Sequence, residues 1–354
     1  MWFTSDNGAP VHPAVMAALA RANDGHAAAY GRDDSMAQVT AAVRAAFEAP
    51  DAAVYLVATG TAANALALAC LCPPWATVYC HRQAHVEEDE CAAPEFFTGG
   101  AKLTLLDGPD ARIAPEALAA ALDRAAPSGV HNVQKGALSI TNVTERGAVL
   151  TPAEVAALAA IARSHGMPVH MDGARFANAV VAAGCTPAEM SWRAGVDVLS
   201  LGGTKNGLMG VEAVVFFDPA AAPGRAWEFE LRRKRSGHLF SKHRYLAAQM
   251  EAWLADGLWL DLARAANARA ADLAKGLARN GAVRMLHPAE ANMVFAEWPR
   301  AVHRKARATG ARYYYWPGDP AADGPDDEMI GARMVCSWDT GADEVAGLLS
   351  ALGG

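Results

Sequence analysis

The sequence predicts an α/β protein with a mostly parallel central sheet, helices on both faces and a smaller α+β domain behind it. Three observations carry this reading. Helix and strand signals alternate through the first two-thirds of the chain. The strands there are short, uninterrupted apolar runs, as strands buried on both faces must be. After Pro219 the alternation gives way to longer amphipathic patterns. With 354 residues, 52% hydrophobic and 19% charged, the chain can enclose one large core and a lesser one. The boundary is expected at 240/241: a large domain over 1–240, opening with a distinct N-terminal segment 1–12, and a small domain over 241–354.

Taken in order, 13–23 opens on a proline and reads as a helix, and 36–49 as another that Pro50 stops. Residues 53–58 form an apolar strand that runs into Thr59-Gly60-Thr61 and an alanine-rich helix over 62–70. Strands follow at 77–80 and 102–106, a helix at 115–125 and a strand at 137–141. Thr151, Pro152 and Glu154 then supply a cap, a first-turn proline and a capping-box acid for a helix ended by Gly166. Strands at 168–171, 196–201 and 213–217 complete a βαβ series. The run Arg232-Arg233-Lys234-Arg235 reads as a basic turn, 245–273 as long amphipathic helical patterns, 292–297 and 333–337 as strands, 341–352 as a last helix. Residues 318–327, rich in Gly, Pro and Asp, form an exposed loop.

A net charge of −7 removes the global positive field that nucleic acid or an anionic membrane would call for. No run of about 18 apolar residues is present, so no membrane span is expected, and no secretory signal opens the chain. The six cysteines form no CxxC pair, which argues for free thiols and a reducing, cytoplasmic setting. Cys80, His81 and His85 do not extend to a tetrahedral zinc set, so no metal is expected.

Two segments carry the chemistry. Val169-His170-Met171-Asp172 and Leu199-Ser200-Leu201-Gly202-Gly203-Thr204-Lys205 are each an apolar strand running into a turn, one delivering an acid and the other a lysine. A lysine that forms a Schiff base and an aspartate facing a pyridine nitrogen are what pyridoxal phosphate requires. In open α/β sheets ligands gather beyond the carboxyl ends of the strands, where Gly60 and Thr61 open a helix whose free N–H groups suit a phosphate. Thr204 is a further phosphate donor. Arg175 has the planar fork that suits a substrate carboxylate, and Arg333 would join it if the two domains close on one site. His85, oriented by Glu90, would lie over the ring or exchange a proton; His131 is a second candidate base. Each has a plainer reading: Asp172 as a turn cap, Arg175 and Arg333 as surface cations, His85 as a half-exposed histidine at a polar helix start. The small residues around Lys205 are read as room for a planar ring.

These segments, with Ser5-Asp6-Asn7, Gly60-Thr61-Ala62-Ala63-Asn64, Ala84-His85, Asp89-Glu90-Cys91, Asp172-Gly173-Ala174-Arg175, Thr204-Lys205-Asn206-Gly207 and Ser337-Trp338-Asp339, resemble the low-specificity L-threonine aldolase family. That group includes phenylserine aldolases and shares the aspartate-aminotransferase fold, fold type I of the pyridoxal-phosphate enzymes. The likeness spans essentially the whole chain. It implies that Lys205 carries the cofactor, Asp172 meets the ring nitrogen and His85 stacks on the ring. Gly60, Thr61 and Thr204 would hold the phosphate, with Arg235 contributed by a neighbouring subunit. Ser5, Arg175 and Arg333 would receive the substrate carboxylate, Arg175 also touching the cofactor, and His131 would act near the β-hydroxyl. A homodimer or homotetramer with sites at the subunit interface is implied, as is retro-aldol cleavage of a β-hydroxy-α-amino acid. Rival outcomes on the same scaffold are β-elimination, racemisation, transamination or a cofactor-sensing protein. The chain departs from the family pattern at Thr59, at Glu87 and over 132–135, and Glu87 bears on substrate preference.

Overall fold

The computed structural model describes residues 1–125 and 129–353. Seven strands form the large sheet: β1 Ala53–Val57, β2 Ala76–His81, β3 Lys102–Leu106, β4 Gln134–Thr141, β5 Val169–Gly173, β6 Val198–Gly202 and β7 Glu212–Phe216. Their order is β1-β7-β6-β5-β4-β2-β3. Every neighbouring pair is parallel except the two that β7 makes, antiparallel to β1 and to β6. The expected βαβ series therefore stops at β6. The short connection from Gly203 to Val211 cannot carry a crossover helix, so the chain turns straight back. This reversal brings the first residue of β7, Glu212, to the carboxyl edge of the sheet. A second sheet comprises β8 Arg284–Met285, β9 Met293–Pro299, β10 Tyr314–Trp316 and β11 Met329–Val335, ordered β10-β11-β9-β8 and antiparallel throughout.

The helices are α1 Pro13–Ala22, α2 Asp34–Ala46, α3 Gly60–Leu71, α4 His85–Glu88, α5 Ala93–Thr98, α6 Pro115–Arg124, α7 Pro152–Ser164 and α8 Phe176–Ala183. They continue with α9 Pro187–Met190, α10 Arg225–Arg235, α11 Arg244–Leu254, α12 Leu258–Leu277, α13 Arg300–Ala308 and α14 Ala342–Ala351. The capping box of α7 forms as its sequence predicts: Thr151 Oγ1 accepts from Glu154 N–H and Glu154 Oε2 accepts from Thr151 N–H. Helix α3 is buried from Ala62 to Leu71, which explains its lack of a polar face.

The structure refines or departs from expectation in several elements. The basic run at 232–235 is the last turn of α10, where four cations complement the helix dipole and Arg232 and Arg233 pair with Glu228 and Glu230. The long pattern at 245–273 is two helices, parted where Asp256 and Gly257 take positive φ. Helix α13 has no apolar stripe to read, because two of its three buried residues are polar: Arg300 and His303, with Ala306 the third. His303 is satisfied there by Tyr313 Oη and the Ile330 carbonyl.

Hydrophobic packing passes from the larger core to the smaller one inside α12. Leu246, Met250, Trp253, Trp259 and Leu262 pack in the large core, whereas Ala270, Leu273 and Leu277 join the small one. The N-terminal segment crosses in the other direction. Phe3 is buried in the small core and hydrogen-bonds through its backbone to Arg312 and Val335, so the residues just after it lie between the two units.

Candidate active site

The carboxyl ends of the large sheet open into a cavity of about 370 Å³. It is bordered by α3's first turn, the segments after β2, β4 and β5, and the turn after β6 that carries Lys205. The two motifs singled out in the sequence therefore meet: Asp172 and Lys205 line the same space, and strands β5 and β6 are register neighbours, with Asp172 beside Ser200.

Asp172 is 3% exposed. Its Oδ1 accepts from Ala174 N–H at 3.0 Å, the turn-capping bond of the plainer reading, and its Oδ2 accepts from Asn64 Nδ2 at 2.9 Å. Gly173 ends the strand and does not begin a helix; α8 starts only at Phe176. Behind Asp172, His170 is held between Ser139 and Ser200, and burial lowers its pKa to about 4, so it is neutral there.

The Nζ of Lys205 makes no hydrogen bond or ion pair among the described residues. Burial, and then the Arg175 guanidinium, hold its amine below the usual lysine value, opposed by Asp6, Asp172 and Glu212. The glycines before it do not make room for a ring. A Cβ on Gly202 would lie 2.4 Å from the Ala174 carbonyl oxygen, and one on Gly203 would lie 2.8 Å from that of Val211. They are required because backbones approach closely.

His85 Nδ1 lies 2.8 Å from Glu90 Oε1, which also accepts from Asn64 Nδ2 at 2.8 Å. One amide thus ties the His85–Glu90 pair to Asp172. The Glu90 hydrogen bond raises the His85 pKa. A second acid, Glu145, accepts from the His85 backbone N–H at 2.8 Å and so fixes the turn that carries the imidazole. His85, Glu90 and Asp172 bring one ligand atom each within 4.8 Å, but Asn64 and the imidazole already bond them to one another.

Arg175 is half committed. Its Nε and Nη2 donate to Asp6 Oδ2 and Oδ1 at 2.7 and 2.8 Å, a bidentate pair in which Asp6 is 1% exposed. Nη1 has no protein partner among the described residues. Asn292 Nδ2 anchors Asp6 from the small domain at 3.0 Å. Arg333, on β11, reaches the Thr4 carbonyl at 3.4 Å and covers the Tyr314 ring. Burial and the nearby Arg175 charge depress its pKa, so the two guanidiniums stand close together. Ser5 caps its own turn, accepting from Asn7 N–H, and it is Asn7 that lines the cavity.

The other predicted residues divide. Gly60, Thr61 and Thr204 line the cavity. Thr59 caps α3 by accepting from Ala62 N–H, so this departure from the family pattern keeps a working cap. His131 is exposed at the amino end of β4, beside Thr77 and Lys102 at the starts of β2 and β3. That is the far side of the sheet from Lys205, roughly 25 Å of strand away, so its own chain does not bring it to the cavity. Arg235 projects exposed from the end of α10, and Glu87 is likewise exposed outside the cavity. Asp6, Asn64, Glu145 and Glu212 were not singled out. Asp6 and Asn64 stood inside quoted motifs; Glu145 and Glu212 carry no local signal.

The cavity fits pyridoxal phosphate on its own features. Nothing lies within 4 Å of where a Cβ on Gly60 would sit, so the α3 N-terminus faces open space. The backbone N–H groups of Gly60 and Thr61 have no partner among the described residues, and the buried Thr204 hydroxyl has the Glu212 carboxyl beside it. With a free lysine amine and a hydrogen-bonded aspartate, these are donors for a phosphate, a carbonyl-reactive amine and a counter-charge for a ring nitrogen.

Comparisons with known proteins agree. Residues 3–299 match the beta-eliminating lyase family. A low-specificity L-threonine aldolase of Pseudomonas aeruginosa is 42% identical over 344 residues, covering 97% of this chain and 94% of that one. The solved threonine aldolase of Leishmania major superposes with a TM-score of 0.90 at 27% identity, over 99% of this chain and 98% of that one. A serine palmitoyltransferase variant from S. paucimobilis with bound PLP shares the fold at a TM-score of 0.70 and 16% identity, over 99% and 86%. No helix among the described residues is long and apolar enough to cross a membrane.

Proposed function

The chain belongs to the beta-eliminating lyase family, alongside the low-specificity L-threonine aldolases, and on that footing we propose that it cleaves L-β-hydroxy-α-amino acids to glycine and an aldehyde. The substrate class is L-threonine, L-allo-threonine or an aryl analogue such as L-phenylserine. The observation that carries the reading is one cavity lined by an unpartnered lysine amine, a hydrogen-bonded aspartate and Arg175, with the Arg333 guanidinium close to Arg175.

Pyridoxal phosphate, when bound, supplies a ring that takes up the electron pair released from the Cα–Cβ bond. Lys205 would hold it, and the lowered pKa leaves more of the amine neutral and nucleophilic. Asp172 would keep the ring nitrogen protonated, its carboxylate held in place by Ala174 N–H and Asn64. Gly60, Thr61 and Thr204 would bind the phosphate. Nη1 of Arg175 and the guanidinium of Arg333 would bind the substrate carboxylate, fixing which bond at Cα can break. His85 presents Nε2 as the nitrogen not committed to Glu90 and would accept the β-hydroxyl proton. His131 can take part only from a neighbouring copy.

The test is product analysis of the cofactor-loaded protein with L-threonine and with L-phenylserine. Glycine and the matching aldehyde in equal amounts are expected. Pyruvate with ammonia, or a keto acid, would transfer the chain to another reaction on the same scaffold.

We also infer a homo-oligomer. Trp227 and Leu231, 67% and 53% exposed, form an apolar stripe on α10 one turn apart, and Arg235 continues that face. A second copy covering the stripe would receive Arg235 near its phosphate site. Light scattering should give a mass of two or four chains, and a monomer at micromolar concentration would exclude this role for Arg235. Six free cysteines support a reducing, cytoplasmic setting.

A further inference from the structure

Glu212 is the one carboxyl group set into the wall where the phosphate donors converge. In register it stands between Val57, which ends β1 just ahead of the Thr59-Gly60-Thr61 turn, and Gly202, which ends β6 just ahead of Thr204 and Lys205. It is 6% exposed and lines the cavity. Its Oε2 accepts the Gly203 N–H at 2.6 Å, so it takes one of the backbone donors of the turn that carries Thr204.

We propose that Glu212 is a proton-holding wall of the phosphate cradle, ionised or shared when the cradle is free and protonated when a phosphate monoester occupies it. This rests on the assignment of Gly60, Thr61 and Thr204 to the phosphate. The cations assigned to the cradle, Lys205 and Arg235 of a second copy, bring two positive charges against the three negative ones of a phosphate dianion and a carboxylate held side by side, and one proton makes up the difference. Lys205 is the charged group that acts on Glu212 directly, and it favours the carboxylate. At the β1 end the titratable neighbour is His238, whose Nδ1 accepts the Ala58 N–H at 3.5 Å and whose pKa burial lowers; the first turn of α3 brings Thr59, Thr61 and backbone N–H groups, and Val211 and Ala213 flank Glu212 on its own strand. The remaining charged side chains of the cavity are His85, Asp89, Glu145, Asp172 and Arg175. Burial already raises the Glu212 pKa to about 7 before any phosphate is present, against the Thr204, Gly203 and Lys205 contacts. Binding therefore draws one proton from solvent onto a Glu212 oxygen above neutral pH, and nothing else changes covalently.

The sign follows from linkage. Below pH 7 Glu212 is mostly protonated and adds no pH dependence to binding. Above it, the affinity for a phosphate ester falls, approaching tenfold per pH unit. The probe is pyridoxine 5′-phosphate, which has no aldehyde and so makes no bond to Lys205. Its dissociation constant is measured from pH 6 to 9 for the wild-type protein and Glu212→Gln, with pyridoxine as the phosphate-free control. Glutamine mimics the protonated acid, so the variant should lose the weakening above pH 7 and bind more tightly than wild type at pH 9. The ester's own ionisation is common to both proteins and cancels in the comparison. Equal pH slopes, or weaker binding by the variant at every pH, would overturn the proposal. If pyridoxine 5′-phosphate binds no better than pyridoxine, the phosphate assignment itself fails. Should Glu212→Gln not fold, calorimetry of the wild type at pH 8 in buffers of different ionisation heat decides, with the uptake seen for pyridoxine subtracted to remove the ring's own protonation: a remaining uptake near one proton supports the proposal, and one near zero overturns it.

Discussion

Lys205→Ala should lower turnover of L-threonine by roughly a thousandfold or more while leaving the fold as stable as the wild type. The two halves of this expectation have separate causes. The amine is the group in the cavity that can bond to an aldehyde and also carry a proton to and from the substrate Cα, and no neighbour can stand in. Asp172 and Glu212 are acids, and His85 is held by Glu90. Stability should not fall because Nζ makes no protein hydrogen bond, while burial and the Arg175 charge already disfavour the ammonium. Steady-state assay, the visible absorbance of the lysine-bound cofactor and thermal melting of the apoprotein check all three points. A variant that keeps its visible band and a tenth of its activity would remove Lys205 from the site.

Asp6→Asn has its largest expected effect on stability, about 3 kcal/mol at neutral pH, with a raised KM on top. The substitution keeps the shape of the side chain and exchanges one acceptor for a donor. Whichever oxygen becomes the amide nitrogen, it faces an N–H of Arg175, and on the Oδ2 side also Asn292 Nδ2. Arg175 is then a poorly compensated cation at 13% side-chain exposure, free to leave the position from which Nη1 would meet the substrate carboxylate. Burial by itself would raise the Asp6 pKa, but Arg175, with smaller help from Lys205 and Asn292, outweighs it and the net shift is downward. A depressed folded-state value means that the contribution is complete above the ordinary aspartate range and is lost as pH falls below it. The gap between wild type and variant in denaturant melts should therefore be full at pH 7 and narrow toward pH 3. A gap that does not change with pH, or a KM equal to that of the wild type, would contradict the role given to this pair. The variant also tests Lys205: without the Asp6 carboxylate its amine should titrate at lower pH.

What was legible in the sequence was legible for local reasons. Alternation of buried strands and helices, the Thr151–Glu154 cap, and strand-to-turn segments ending in Asp172 and Lys205 are each written within a few residues, where sterics and hydrogen bonding act directly. The same holds for Gly60 and Thr61, because a helix start is a local event. What was not legible depended on partners far along the chain. The length of β4 separates His131 from Thr141 at the cavity of its own chain. The glycines at 202 and 203 suggested space for a ligand, and in the folded chain backbone from Ala174 and Val211 fills it.

The sequence by itself determined the fold class, the strand ends that bring Lys205 and Asp172 to one cavity, and the family to which the chain belongs, because each is encoded in short stretches whose chemistry needs no distant context. Only the tertiary structure decided which acids surround that lysine. Asp6 arrives on the N-terminal segment because Phe3 is drawn into the small core, and Asn292 arrives from the second sheet. Glu212 is turned to the carboxyl edge because the connection before β7 is too short for a crossover. Charges in a cavity act over several ångströms regardless of their separation along the chain, and that separation is what a linear reading cannot collapse.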